Sequence, residues 1–218
     1  MSNPDSFIDE VTEEVRRDRL YGAFRKYGWI GGLVVLAIVG GTAVTEWKRF
    51  SGESAAQLFG DALTDALDLG APEDRRAAIS AIPASGAQIA VKELMLASDP
   101  EEDKAATLAS LDVLIGDASQ PQVYRDLATL KKVLVAGADM TVADRRAALE
   151  PLTAPGRAFR PLALEQMAYL LIEEGKTDAA ITALQPLMQD QQSPRGLRAR
   201  VQQAIITLGG SVDPAQAG

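Results

Sequence analysis

The stretch P-L-A-L-E-Q-M-A-Y-L-L-I-E-E-G-K-T-D-A-A-I-T-A-L, residues 161–184, decides the fold. Its apolar residues recur at three- and four-residue intervals, the period of a helix with one buried face. Gly175 breaks the run, and glycine ends helices because it tolerates the left-handed conformation. The spacing therefore predicts two helices, 160–175 and 177–190, joined by a tight turn. Ala168 and Ala180 stand at the small positions where the two helices touch. Leu164, Met167, Leu171 and Leu184 fill the large apolar ones.

Working outward, parts of this unit recur. A-L-Q-P-L at 183–187 matches A-L-E-P-L at 148–152, an offset of 35. D-R-R-A-A-L-E-P-L at 144–152 matches D-R-R-A-A-I-S-A-I at 74–82, an offset of 70, twice the same period. S-L-D-V-L at 110–114 fits the same slot. Two helices per 35 residues is the signature of a tetratricopeptide-type repeat. The remaining pattern predicts helices at 53–69, 72–83, 86–98, 101–116, 121–136, 141–152 and 195–208, the last acting as a terminal cap. Pro72, Pro100, Pro121, Pro161 and Pro194 stand near the starts, and Gly70, Gly116, Gly137, Gly175 and Gly209 near the ends. Short loops pack successive helices antiparallel.

One such pair cannot bury its apolar face alone, so pairs stack into an α-solenoid. The concave side of the stack is lined by the first helix of each pair. That places Glu165 and Tyr169 toward a groove, with Arg125, Thr129 and Lys132 contributed by the helix at 121–136. Tyr124 joins them as an aromatic of the kind enriched at binding surfaces. An ordinary solvated side chain is the competing reading for each. The D-R-R runs read as solvated helix starts.

Composition agrees and excludes several chemistries. Of 218 residues, 36 are Ala and 25 are Leu, while aromatics make up 5%. This favours helices and argues against an all-β fold. The net charge is −8 and no basic face is visible, which speaks against nucleic acid as a partner. There is no Cys and no His. Zinc sites, Ser-His-Asp hydrolysis and Cys-His catalysis are excluded with them. The neighbouring acids Glu101-Glu102 and Glu173-Glu174 point to different helix sides, so neither can act as a facing acid/base pair. The first pair complements a helix start and the second reads as solvated. No catalytic, cofactor or metal site and no small-molecule substrate is expected.

The start of the chain reads differently. Tyr27 to Thr45 is 19 residues without a charge, with Tyr27 and Trp29 at one end and Trp47 at the other. Such a run spans roughly 28 Å as a helix, near the thickness of a bilayer. Residues 27–47 are accordingly expected to form a transmembrane helix, with the membrane as a partner. Lys and Arg number five before the run (Arg16, Arg17, Arg19, Arg25, Lys26) and two just after it (Lys48, Arg49). That asymmetry puts the N-terminus in the cytoplasm. If the source is a Gram-negative bacterium, the chain is then expected to be a single-pass protein of the inner membrane, with its C-terminal domain in the periplasm. Gly28 and Gly32, then Ala37 and Gly41, carry the small-x-x-x-small spacing that lets a second membrane helix approach. Residues 1–26 form an amphipathic cytoplasmic tail helix, 48–212 the helical repeat domain, and 213–218 a disordered tail.

The segments E-E-V-R-R-D-R-L (13–20) and R-K-Y-G-W (25–29), followed by an apolar helix and a degenerate repeat domain, resemble the ancillary SecYEG translocon subunit family of proteobacteria. The resemblance implies partners: the subunits of the protein-conducting channel, a membrane-anchored periplasmic chaperone of the prolyl-isomerase type, and unfolded secretory proteins handed between them. The residues themselves imply a tethered scaffold without catalytic equipment, not an enzyme. An accessory or assembly scaffold subunit of another inner-membrane complex, respiratory or cell-envelope, fits the same features.

Overall fold

The computed structural model describes residues 36, 38–42, 46, 47, 50 and 52–211. Every helix and turn among them belongs to an all-α chain, and there is no strand among the described residues. Two compact units divide it, Met1–Leu58 and Phe59–Gly218.

In the first unit, residues 36, 38–42, 46, 47, 50 and 52–58 are helical. Thr42 turns its hydroxyl back onto the carbonyls of Ile38 and Val39. Among the described residues no helix is long and apolar enough to cross a membrane. A span needs about 20 consecutive apolar residues. The expected single-pass inner-membrane protein, with a transmembrane helix at 27–47 and a periplasmic domain beyond it, is corrected on that finding. Residues 27–35, 37 and 43–45 lie outside the described residues, and so do Gly28, Gly32 and Ala37. Gly41 is described and helical, with open space where a Cβ would stand. The tail helix at 1–26 and the tail at 213–218 also lie outside them.

The second unit contains α1 (residues 59–67), α2 (Pro72–Ala81), α3 (Ala87–Leu96), α4 (Lys104–Gly116), α5 (Gln122–Ala136), α6 (Val142–Leu149), α7 (Arg160–Glu173), α8 (Thr177–Gln189) and α9 (Arg195–Thr207). Short 3-10 turns at Gly137–Asp139 and Glu150–Thr153 follow α5 and α6. The ends differ from the sequence reading where proline or an acid overrides the pattern. Pro83 holds Ile82 extended, at ψ 123°, so α2 stops two residues early. Pro151 draws the end of the 141–152 segment into a 3-10 turn. Asp103, extended at φ −149°, caps α4 by accepting from the Ala106 amide. Glu101 and Glu102 thus sit in the turn before α4 rather than in its first helical turn. At Gly175, φ is +74°, and the Lys176 amide donates back to the Leu171 carbonyl, closing α7 with the six-residue bond of a Schellman turn.

The tight packing runs between neighbours in the chain, from α2 against α3 through to α8 against α9. The core is correspondingly a row of four local clusters. Leu63 and Ala66 pack with Ile79 and Ile82; Ala90 and Ala97 with Leu111, Leu114 and Ala128. Leu130, Val133, Leu149, Leu152, Ala163 and Leu170 form the third. Ala168, Leu184, Leu187, Met188, Leu197, Val201 and Ile205 form the fourth. Ala168 and Ala180 are fully buried, as expected of residues at a close helix crossing.

Candidate functional site

Between α7 and α9 lies an open groove of about 440 Å³. Its α7 wall is Tyr169 and Ile172. Its α9 wall is Arg200, Gln203, Ala204 and Thr207, with Leu208 beyond. The wall residues follow from helical spacing. Residues 200, 203, 204 and 207 share one side of α9, while Leu197, Val201 and Ile205 share another and enter the fourth core cluster.

Beneath the groove sits a carboxylate. Glu165, on α7 one turn before Tyr169, is 1% exposed. Arg200 grips it with two parallel bonds, Nε to Oε1 at 3.0 Å and Nη2 to Oε2 at 2.9 Å. The Tyr169 hydroxyl donates to Oε1 at 3.0 Å. A buried carboxylate without such partners would be prohibitively costly; a bidentate guanidinium supplies both charge and geometry. Burial, and then the hydrogen bond to the Glu165 carboxylate, push the Tyr169 hydroxyl up to about 12. Arg200's own hydrogen bonds to Glu165 raise its guanidinium as well. Near neutrality Tyr169 therefore stays protonated and donating, and Arg200 stays charged. Arg200 is still 55% exposed at its side chain.

The expected groove residues are distributed as follows. Tyr169 lines the groove, and it also lines a smaller cavity of about 120 Å³ shared with α5 and α6 residues such as Val133 and Arg145. Glu165 lies under the surface rather than on it, engaged by Arg200. Arg125, Thr129 and Lys132 are on α5, away from the larger groove. Arg125 donates to Gln122, the Thr129 hydroxyl to the Arg125 carbonyl, and Lys132 to Asp112. Tyr124 packs against the second core cluster. Arg200, Gln203 and Ala204 were missed by the sequence reading. A signal existed: Arg200 follows Glu165 by 35 residues, one full repeat.

Other ties span similar lengths. Arg157 reaches Asp126, 31 residues back, and Arg160 reaches Asp190, 30 residues on. Arg145 pairs with Glu173 and Arg146 with Glu174, each 28 residues on. Lys176 also contacts Glu174, and these two cations hold its carboxyl below the usual range. The D-R-R runs do stand at helix starts with Asp74 and Asp144 exposed, but Arg145 and Arg146 tie α6 to the end of α7. In α2, Arg76 likewise donates to the carbonyls of Leu96 and Asp99 at the end of α3.

Among the described residues no group of three or more acids could hold a metal ion. No family model, no curated protein and no solved structure matches this chain.

Proposed function

We propose that this protein is a non-catalytic adaptor that holds a segment of a protein partner in the groove between α7 and α9. The observation that carries the reading is the groove itself: an open apolar surface whose one aromatic and one cation are immobilised by a buried carboxylate. Rigid walls bind without a large loss of side-chain freedom, which is what preorganisation contributes to affinity. An apolar side chain of the partner lies between Ile172, Ala204 and Leu208. Gln203 and Thr207 offer hydrogen bonds along the rim.

We further propose that the second unit is a tetratricopeptide-like solenoid. Packing that is tightest between neighbouring helices, a row of local cores and ties that span 28 to 35 residues support this. The likeness of residues 13–20 and 25–29 to the ancillary translocon subunits supports placing the partners in protein export. They would be channel subunits, a prolyl-isomerase-type chaperone and unfolded secretory chains.

Affinity capture with the full chain tests the reading, comparing wild type with Ala204→Glu, which puts a charge into the apolar groove. Export components should be recovered by wild type and lost, about tenfold or more, in the variant, because an unpaired charge in an apolar site costs more than 1.4 kcal/mol. Recovery of a different complex moves the protein to an accessory subunit of that complex. Equal recovery by both forms removes the groove from the account.

A further inference from the structure

Two hollows flank Tyr169. On its α9 side lies the apolar groove, and on its α5 side lies the smaller cavity. That cavity measures about 120 Å³, several times the roughly 10–15 Å³ that one water requires. Val133 and Leu170, both of the third core cluster, make its floor apolar, and the half-exposed Leu134 stands beside them. Gln166, Tyr169 and Glu173 recur at i, i+3 and i+7, so one side of α7 forms a wall. Arg145 enters from α6.

Three polar groups meet in this cavity, and each has bonding capacity that no described residue uses. The Arg145 side chain is only 11% exposed. Of its five N–H groups only one, on Nη2, has a partner among the described residues, the Glu173 Oε1 at 2.6 Å. Glu173 keeps Oε2 open. The Gln166 amide makes no side-chain hydrogen bond among the described residues. A guanidinium this buried and this short of partners gains when an acceptor arrives.

The charges decide what can enter. Arg145 and Glu173 offset each other, so the cavity is close to neutral. An incoming carboxylate would crowd Glu173, and an incoming ammonium would crowd Arg145. A purely apolar group would leave all three polar groups unmet. A primary amide offers what they lack: a carbonyl oxygen that accepts from Arg145, and two N–H groups that donate to Glu173 and to the Gln166 carbonyl oxygen.

We infer, resting on the reading of the α7–α9 groove as the partner's site, that this second cavity receives a glutamine side chain of the same partner segment. Tyr169 is the ridge between the two bound side chains. In an extended segment, side chains two residues apart point the same way and lie about 7 Å apart. Packed helices stand about 8–10 Å apart, and the reach of a glutamine covers the difference. The partner motif is thus an apolar residue and a glutamine separated by one residue.

Fluorescence anisotropy with the full chain tests this. The probe is a labelled glycine-serine peptide with one leucine and, two residues on, one glutamine, measured beside the reverse order. Counterparts carry glutamate, lysine or methionine in place of the glutamine. Wild type should bind the better of the two glutamine peptides at least about fivefold more tightly than each counterpart, roughly the net worth of one hydrogen bond. Gln166→Ala, at a side chain with no bond to lose, should reduce that preference to under about twofold. Ala204→Glu, in the other groove, should weaken all the peptides alike. Equal binding of the four peptides by wild type, or a preference that survives Gln166→Ala, overturns the inference and leaves the groove standing where Ala204→Glu still weakens them. Binding indifferent to Ala204→Glu, or no binding of any peptide, overturns the groove and the inference with it.

Discussion

The α1–α3 region and the α7–α9 region use the same residue types in opposite ways. In the first, arginine and lysine reach the carbonyls that helices leave open at their C-termini, and the carboxylates stay in water. In the second, arginine reaches carboxylates, one of them buried. The lesson concerns cost. A surface carbonyl loses little when its partner leaves, because water replaces it. A buried carboxylate cannot recover its hydration, so its partner is structurally obligatory. The rigid groove belongs to the region built the second way.

The comparison breaks most sharply if the two kinds of arginine prove equal. Arg200→Ala strands the Glu165 charge and should cost about 3 kcal/mol in denaturant unfolding, near the low end for breaking a buried pair because Arg200 is half exposed. Leu184→Ala, in the fourth core cluster, is the apolar counterpart and should cost about 3 kcal/mol by leaving a cavity. Glu165→Gln keeps the shape and part of the bonding and should cost about 1–2 kcal/mol. Arg75→Ala, whose partners are two exposed carbonyls, should cost under about 1 kcal/mol. Similar losses for Arg200→Ala and Arg75→Ala would erase the distinction between the regions.

The smallest effect is a pH dependence at Tyr169. Its hydroxyl titrates at about 12 in the folded chain against an ordinary value near 10. The fold thus holds a proton that the unfolded chain gives up first. The stabilisation is fully present below pH 10 and is lost as pH rises through 12. Ultraviolet titration should show one phenol with a midpoint near 12 that disappears in Tyr169→Phe. A midpoint near 10 for Tyr169 would mean that the hydroxyl is neither buried nor bonded to Glu165 as described.

Much of the helical layout was legible in the sequence, because proline and glycine act locally. Gly175 required left-handed backbone and Pro72 opened α2 whatever the distant contacts were. Boundaries slipped where a local competitor intervened, as Asp103 did at α4. The ties were harder to read. Whether Arg146 faces water or Glu174 depends on where α7 ends relative to α6, and periodicity alone carries no such information. Glu165 shows the limit most clearly. Its position on a helix was predictable, but a carboxylate reads as solvated until the arginine one repeat away is seen to cover it. The expectation of a membrane span rested on the length of an uncharged run and on the residues at its ends, and no described helix is long and apolar enough to cross a membrane.

The central claim is that the side of α9 facing α7 binds a protein partner. Photo-crosslinking probes at Gln203 and at Gln202 test it most directly, since adjacent residues point about 100° apart around a helix. The account predicts partner adducts from Gln203 and few from Gln202. Equal yields from both positions, or adducts from Gln202 alone, would contradict it.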